Sequence, residues 1–176
     1  MSLWVFGYAS LLWDPGFEVA QRQKARLHGY ARSFCMYSIH HRGTSAQPGL
    51  VLALDAQKGA YCDGVALQVA PGHEAETRRY LQKRELVTDA YIETNVTAQL
   101  HDETQVSALA YVIDPTHAQY CCLPMHEQAQ LIAKAHGGRG PNRDYLTSTA
   151  RHLNDIGLPD PQLNALCAQV AALCDT

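Results

Sequence analysis

Four short segments of this chain carry residue types suited to chemistry. Gly7-Tyr8-Ala9-Ser10-Leu11 takes an apolar run directly into small residues. A turn there exposes successive backbone N–H groups, the donors that an oxyanion or carboxylate needs, although an ordinary strand exit would carry the same residues. Glu85, in Lys83-Arg84-Glu85-Leu86-Val87, falls in the last turn of an expected helix, where the negative end of the helix dipole disfavours a carboxylate. Facing a barrel interior, it would be pushed further toward its neutral form, as a general base near neutral pH requires. Position alone favours an exposed glutamate solvated by Lys83 or Arg84. Gly137–Tyr145 (GGRGPNRDY) is a glycine-rich turn entering a helix, able to hold an anion at the helix N-terminus with Arg139 adding charge. It fits equally a plain connection with Asn142 as helix cap and Tyr145 as a core aromatic. His40-His41-Arg42-Gly43 suggests proton transfer, but adjacent strand residues face opposite ways, and an exposed loop reads the same.

The six cysteines follow no C-x-x-C spacing and read as separate thiols, not a disulfide framework. Cys121-Cys122 between His117 and His126 has the look of a metal cluster, yet adjacent side chains diverge in helix and strand alike, and such a pair does not close a tetrahedron. H-E-x-x-H, the phosphate-binding P-loop and G-x-G-x-x-G are all missing from the sequence.

The elements that must position these residues change character along the chain. Leu3–Tyr8 reads as a buried strand, followed by a Pro15-Gly16 turn. Arg26–Ile39 is a strand with Gly29 as a bulge or bend, and Leu50–Leu54 and Gly64–Val69 are two strands separated by a turn at Gly59. Tyr91–Leu100 and Ser107–Ile113 are two more, joined by the polar turn His101–Gln105. Glu74–Val87 is dense in helix formers. Helices are expected over Glu127–His136, stopped by Gly137-Gly138; from Asn142 to about Ile156, stopped by Gly157; and from Pro161 through Leu173. The fold class this implies is α+β: a small β-barrel or curled mixed sheet of about six strands with helices around it, as one domain over residues 1–176.

A chain of 176 residues with 14 basic and 17 acidic side chains carries a formal charge of −3. That gives no electrostatic reason to expect nucleic acid or anionic lipid as a partner. An apolar content of 47% excludes a mostly disordered chain. The apolar runs all fall short of the roughly 20 residues that span a bilayer. Met1–Trp13 lacks the basic start of a secretion signal, so the expectation is a cytoplasmic protein without membrane insertion.

Together the segments resemble a known family. Val5-Phe6-Gly7-Tyr8-Ala9-Ser10-Leu11-Leu12-Trp13 is similar to the V-F-G-Y-G-S-L-x-W signature of the ChaC-like, glutathione-specific γ-glutamylcyclotransferases. The likeness continues through His41-Arg42-Gly43, Pro48-Gly49, Gly64-Val65-Ala66, Tyr80-Leu81, Arg84-Glu85, Ala108–Val112 with Asp114-Pro115, and Asn142-Arg143-Asp144-Tyr145-Leu146. Leu11 sets the chain apart from the cyclotransferase branch that reads Y-G-S-N.

The resemblance implies a small β-barrel with surrounding helices. It also implies cleavage of glutathione to 5-oxoproline and cysteinylglycine, with no metal and no cofactor. Gly7, Tyr8, Ala9, Ser10, Leu11 and Leu12 would form the loop that binds the γ-glutamyl group, Glu85 would be the catalytic acid/base, and Tyr145 matches a family tyrosine near the substrate. The partner implied is a small molecule, glutathione or a related γ-glutamyl peptide. The alternatives are a cyclotransferase for other γ-glutamyl amines or dipeptides, and a non-catalytic γ-glutamyl-binding regulatory protein. Ala9 is the departure: the family has glycine there. If the position needs φ > 0, alanine costs on the order of 1 kcal/mol; in extended backbone the change is silent.

Overall fold

A computed structural model describes residues 2–175 of the chain. Strand β1 (Trp4–Gly7) buries Val5 and Phe6 completely. It closes a barrel with β2 (Val19–Ser38), β3 (Gly49–Val69), β4 (Tyr91–Leu100) and β5 (Gln105–Ile113), in the order β1-β3-β2-β4-β5 with β5 returning to β1 and an additional pairing between β3 and β5. β1 runs antiparallel to β3, Gly7 opposite Val65, and parallel to β5, Trp4 opposite Ala108. β4 and β5 form a long antiparallel hairpin in which Glu93 lies directly opposite Tyr111.

Contacts divide the chain into two compact units, Met1–Ser33 with Leu54–Ala118, and Phe34–Ala53 with Gln119–Thr176. The first holds β1, β4, β5, helix α1 (Glu74–Glu85) and the larger parts of β2 and β3, around a core that includes Phe6, Leu27, Leu67, Leu81 and Leu109. The second holds helices α2 (Met125–Lys134), α3 (Asn142–Asp155) and α4 (Pro161–Cys174), and a two-residue hairpin, β6 (His136–Gly137) with β7 (Gly140–Pro141). Leu50, Leu52, Ile132, Leu146 and Leu153 are the largest of its fully buried apolar side chains. Pro161 opens α4 beneath Asp160, whose carboxylate accepts from the Gln162 and Leu163 N–H groups, the cap that satisfies otherwise orphaned donors.

The α+β class and the closed sheet agree with the sequence reading, and several boundaries do not. Leu50–Leu54 and Gly64–Val69 belong to one continuous strand, with Gly59 (φ +85°) kinking the chain inside β3. Gly29 (φ +87°) does the same within β2. Asn142 is no cap. It is the first residue of α3, fully buried, and its side chain is spent on Leu50, accepting from the N–H and donating to the carbonyl, each at 2.8 Å. The Gly137-Gly138 pair does not end a helix either: α2 stops at Lys134 and Gly137 lies in the small hairpin.

Candidate active site

The chain leaves β1 at Gly7 and tightens into a 3-10 turn, Ser10–Leu12. Leu12 N–H donates to the Ala9 carbonyl at 2.9 Å, and the Trp13 and Asp14 N–H groups donate to the Ser10 carbonyl at 3.3 and 2.9 Å. The turn therefore does not use the N–H groups of Ala9, Ser10 and Leu11, which open it. Its close approach to the barrel depends on two glycines. A Cβ on Gly7 would stand 3.1 Å from that of Leu11, and one on Gly64 would stand 2.3 Å from the Gly7 carbonyl oxygen. Ala9 has φ −145°, so the left-handed conformation that would penalise alanine does not arise.

Glu85 is the last residue of α1, with 18% of its side chain exposed, which corrects the exposed reading that its position alone favoured. Arg84, offered by the sequence only as a solvating neighbour, joins it to the turn. Its Nη2 donates to Ser10 Oγ at 2.9 Å and its Nη1 to the carbonyls of Asp14 at 2.7 Å and Pro15 at 3.2 Å. The same guanidinium donates to the Tyr80 hydroxyl at 3.1 Å and places Nε 3.5 Å from the Glu85 carboxylate. The chain reaches Tyr80 because Gly16 (φ +76°) has no side chain; a Cβ would fall 1.9 Å from the Tyr80 oxygen.

A second carboxylate in the same unit has a different environment. Glu93 Oε2 accepts from the Tyr111 hydroxyl and from Gln82, each at 3.1 Å, while Oε1 takes Arg78 Nε at 3.0 Å and its Nη2. Burial alone would push the Glu93 pKa up, but the hydrogen bonds from Arg78, Gln82 and Tyr111 outweigh it and hold the value below the ordinary glutamate range. Burial, then the Glu93 charge and hydrogen bond, then the Glu85 charge, push the Tyr111 phenol up and keep it protonated. A carboxylate held so firmly in its charged form by three donors is a poor proton acceptor.

Arg32 supports the turn from below. Its Nε donates to the Tyr8 carbonyl at 3.1 Å and its Nη1 to the Asp63 carbonyl at 3.0 Å. Sequence reasoning missed Arg32 and Tyr111 as members of this constellation. The Glu93–Tyr111 register of one hairpin was the one signal available.

The remaining nominated segments lie in the second unit. Tyr145 is buried, accepts the Leu52 N–H on its hydroxyl at 3.1 Å, and meets Phe34 edge-on at 6.0 Å between ring centroids. The Arg42 guanidinium stands 5.6 Å from its ring centroid and donates to the Pro141 carbonyl at 3.2 Å. The Gly137–Tyr145 segment does not cradle an anion with its early N–H groups, since Gly138 and Arg139 donate theirs to the His40 and His41 carbonyls, each at 2.8 Å. Gly137 is there for contact: a Cβ would stand 2.5 Å from the Arg42 and Gly43 nitrogens. His40 and His41 lie on an exposed bend, and burial followed by the charge of Arg139 lowers the His41 pKa. Cys121 is buried and pushed up to about 11 by burial, while Cys122 is exposed. Among the described residues no three His, Cys, Asp or Glu side chains are grouped to hold a metal.

Comparison with known proteins gives a consistent picture. Residues 3–173 match the family model described as ChaC-like protein. The chain is 36% identical over 172 residues to a glutathione-specific γ-glutamylcyclotransferase of Escherichia coli (strain K12), covering 97% of this chain and 74% of that one. It is 33% identical over 175 residues to glutathione-specific γ-glutamylcyclotransferase 1 of Homo sapiens, covering 98% and 78%. Among solved structures, a γ-glutamyl cyclotransferase specific to glutathione from yeast superposes with a TM-score of 0.88 at 25% identity, covering 97% of this chain and 96% of that one.

Proposed function

The chain belongs to the ChaC-like family, and from that premise we propose that it is a lyase-type γ-glutamylcyclotransferase that degrades glutathione to 5-oxoproline and cysteinylglycine. The observation that carries the reading is the meeting of two distant segments. Arg84 binds Ser10 of the β1 exit turn while its Nε faces the carboxylate of Glu85, so the family's binding loop and its acid/base share one cluster.

The chemistry suits these groups. In a γ-glutamyl peptide the α-amine can reach its own γ-carbonyl and close a five-membered lactam, so the enzyme needs only to hold the folded conformer. Glu85 takes a proton from the α-ammonium. The freed amine attacks the γ-carbon, and the carbonyl oxygen becomes an oxyanion for which the Ala9, Ser10 and Leu11 N–H groups are the available donors. As the C–N bond to the cysteinyl residue breaks, Glu85 returns its proton to the leaving nitrogen, and the second proton of the ring nitrogen then passes through the same carboxylate to the released amine, which leaves as an ammonium. One carboxylate serves these transfers, and water is not consumed. Gly7, Tyr8 and Leu12 complete the binding loop in this reading, and Tyr145 keeps its substrate-side role through the resemblance alone.

The family match across residues 3–173 supports treating the whole chain as one functional domain. A cytoplasmic location goes with the reading, because that compartment maintains the reduced glutathione pool. Among the described residues no helix is long and apolar enough to cross a membrane. The test is purified protein with millimolar reduced glutathione, followed for 5-oxoproline and cysteinylglycine, with γ-glutamyl-alanine alongside. Faster release from γ-glutamyl-alanine would move the reading to other γ-glutamyl dipeptides, and no release from either would end it.

A further inference from the structure

Adjacent residues on a helix point about 100° apart and do not normally face each other. Arg84 and Glu85 nevertheless meet, through the mid-chain Nε and not the terminal nitrogens of Arg84. Folding the arginine back in this way leaves Nη1 and Nη2 directed at the other segment. There Nη2 takes Ser10 at the start of the 3-10 turn, and Nη1 takes the Asp14 and Pro15 carbonyls at its exit. The Tyr80 hydroxyl, one helical turn earlier, supports Nη1 from beneath. Only 12% of the Arg84 side chain is exposed, so these contacts are made largely out of water, where charge-assisted hydrogen bonds count for more than at the surface.

We propose that Arg84 is the positioning residue of this site, a single guanidinium that fixes the substrate-binding turn against the helix carrying Glu85 and keeps that carboxylate facing a cation. The proposal rests on the cyclotransferase reading above for its catalytic half, and on the contacts alone for its structural half. Three nitrogens serve the arrangement at once: Nη2 on the turn's entry, Nη1 on its exit, Nε on the carboxylate. A lysine offers one ammonium and can replace the charge or one of the grips, not the whole fork. The turn N–H groups proposed for the oxyanion are useful only if their direction relative to the base is fixed, and Arg84 spans that gap directly. Tyr111 on β5 feels the charge of Glu85, and Glu93 on β4 binds Tyr111 and is itself held by Arg78 and Gln82 of α1. Arg84 sets a cation 3.5 Å from the base.

The experiment compares wild type, Arg84→Gln and Arg84→Lys by two readouts. In amide hydrogen exchange, Arg84→Gln should release the Leu12, Trp13 and Asp14 amides about tenfold faster, while amides of the β4–β5 hairpin keep their protection. In turnover of glutathione, Arg84→Gln should raise KM and move the acid limb of the kcat profile to higher pH, because Glu85 loses the cation that favours its charged form. Arg84→Lys should return the acid limb toward wild type and leave KM high. Unchanged exchange at Leu12–Asp14 in Arg84→Gln overturns the proposal whether or not the protein turns over glutathione. An acid limb that stays put in Arg84→Gln overturns its electrostatic half. If wild type releases no product while the exchange result holds, the cyclotransferase reading falls and the positioning of the turn by Arg84 stands.

Discussion

Two carboxylates in one unit have different surroundings. Glu93 accepts from three side chains and is held charged; Glu85 lies 3.5 Å from the Arg84 guanidinium with 18% of its side chain exposed. Glu85→Gln keeps size and hydrogen-bonding reach but cannot accept the ammonium proton, so turnover should fall by ~10²–10⁴ while ligand affinity measured by calorimetry survives. Near-normal turnover in that variant would move the base elsewhere. Glu93 should instead report in a stability profile. Its folded pKa lies below the ordinary value, so its contribution is fully present above the unfolded pKa of about 4.3 and is lost as pH falls through the lower folded value. Glu93→Gln should therefore melt below wild type at pH 7, and the gap should close in acid. At position 9 φ is −145°, outside the left-handed region, and Ala9→Gly should leave kcat/KM within about twofold of wild type.

The elements were legible where periodicity and punctuation agreed. β4 spans Tyr91–Leu100 as the sequence predicts, α3 begins at Asn142, and Pro161 opens α4. The sequence misleads where one residue type has two uses. Gly59 with positive φ serves a kink inside a strand as readily as a turn between strands, and Asn142 serves a buried amide as readily as a helix cap. Within the candidate site, the Gly7–Leu12 turn and Glu85 were nominated from the sequence because a strand exit and a helix end are local features. Arg32 and Tyr111 were not, because their partners are set by strand register and lie far along the chain. The same register makes Gly64 a sensitive position: a Cβ there would stand 2.3 Å from the Gly7 carbonyl oxygen, on backbone that cannot swing aside. Gly64→Ala should cost about 1–3 kcal/mol, the usual range for overpacking, and should slow turnover by displacing the turn. Thermal melting and kcat measured on one preparation check both effects.

At the scale of the whole molecule, the barrel depends on a strand only four residues long. Phe6 in β1 is 1% exposed, and Phe6→Ala should cost about 3–5 kcal/mol, enough to lower the melting temperature by roughly 10 °C in a chain of this size. β1 also has two dissimilar neighbours, an antiparallel one reached at Gln68 and a parallel one reached at Ala108. During synthesis, at about 5–20 residues per second, the first neighbour follows β1 within seconds. The second arrives after more than 100 residues, or roughly 5–20 s at that rate. For that interval an apolar strand on the nascent chain keeps one open edge, the kind of edge that invites pairing with another chain. Strand β1 is made before the others and is the last to be enclosed. Slower elongation lengthens the interval in proportion, so the yield of folded protein should depend on translation speed more than its equilibrium stability would suggest.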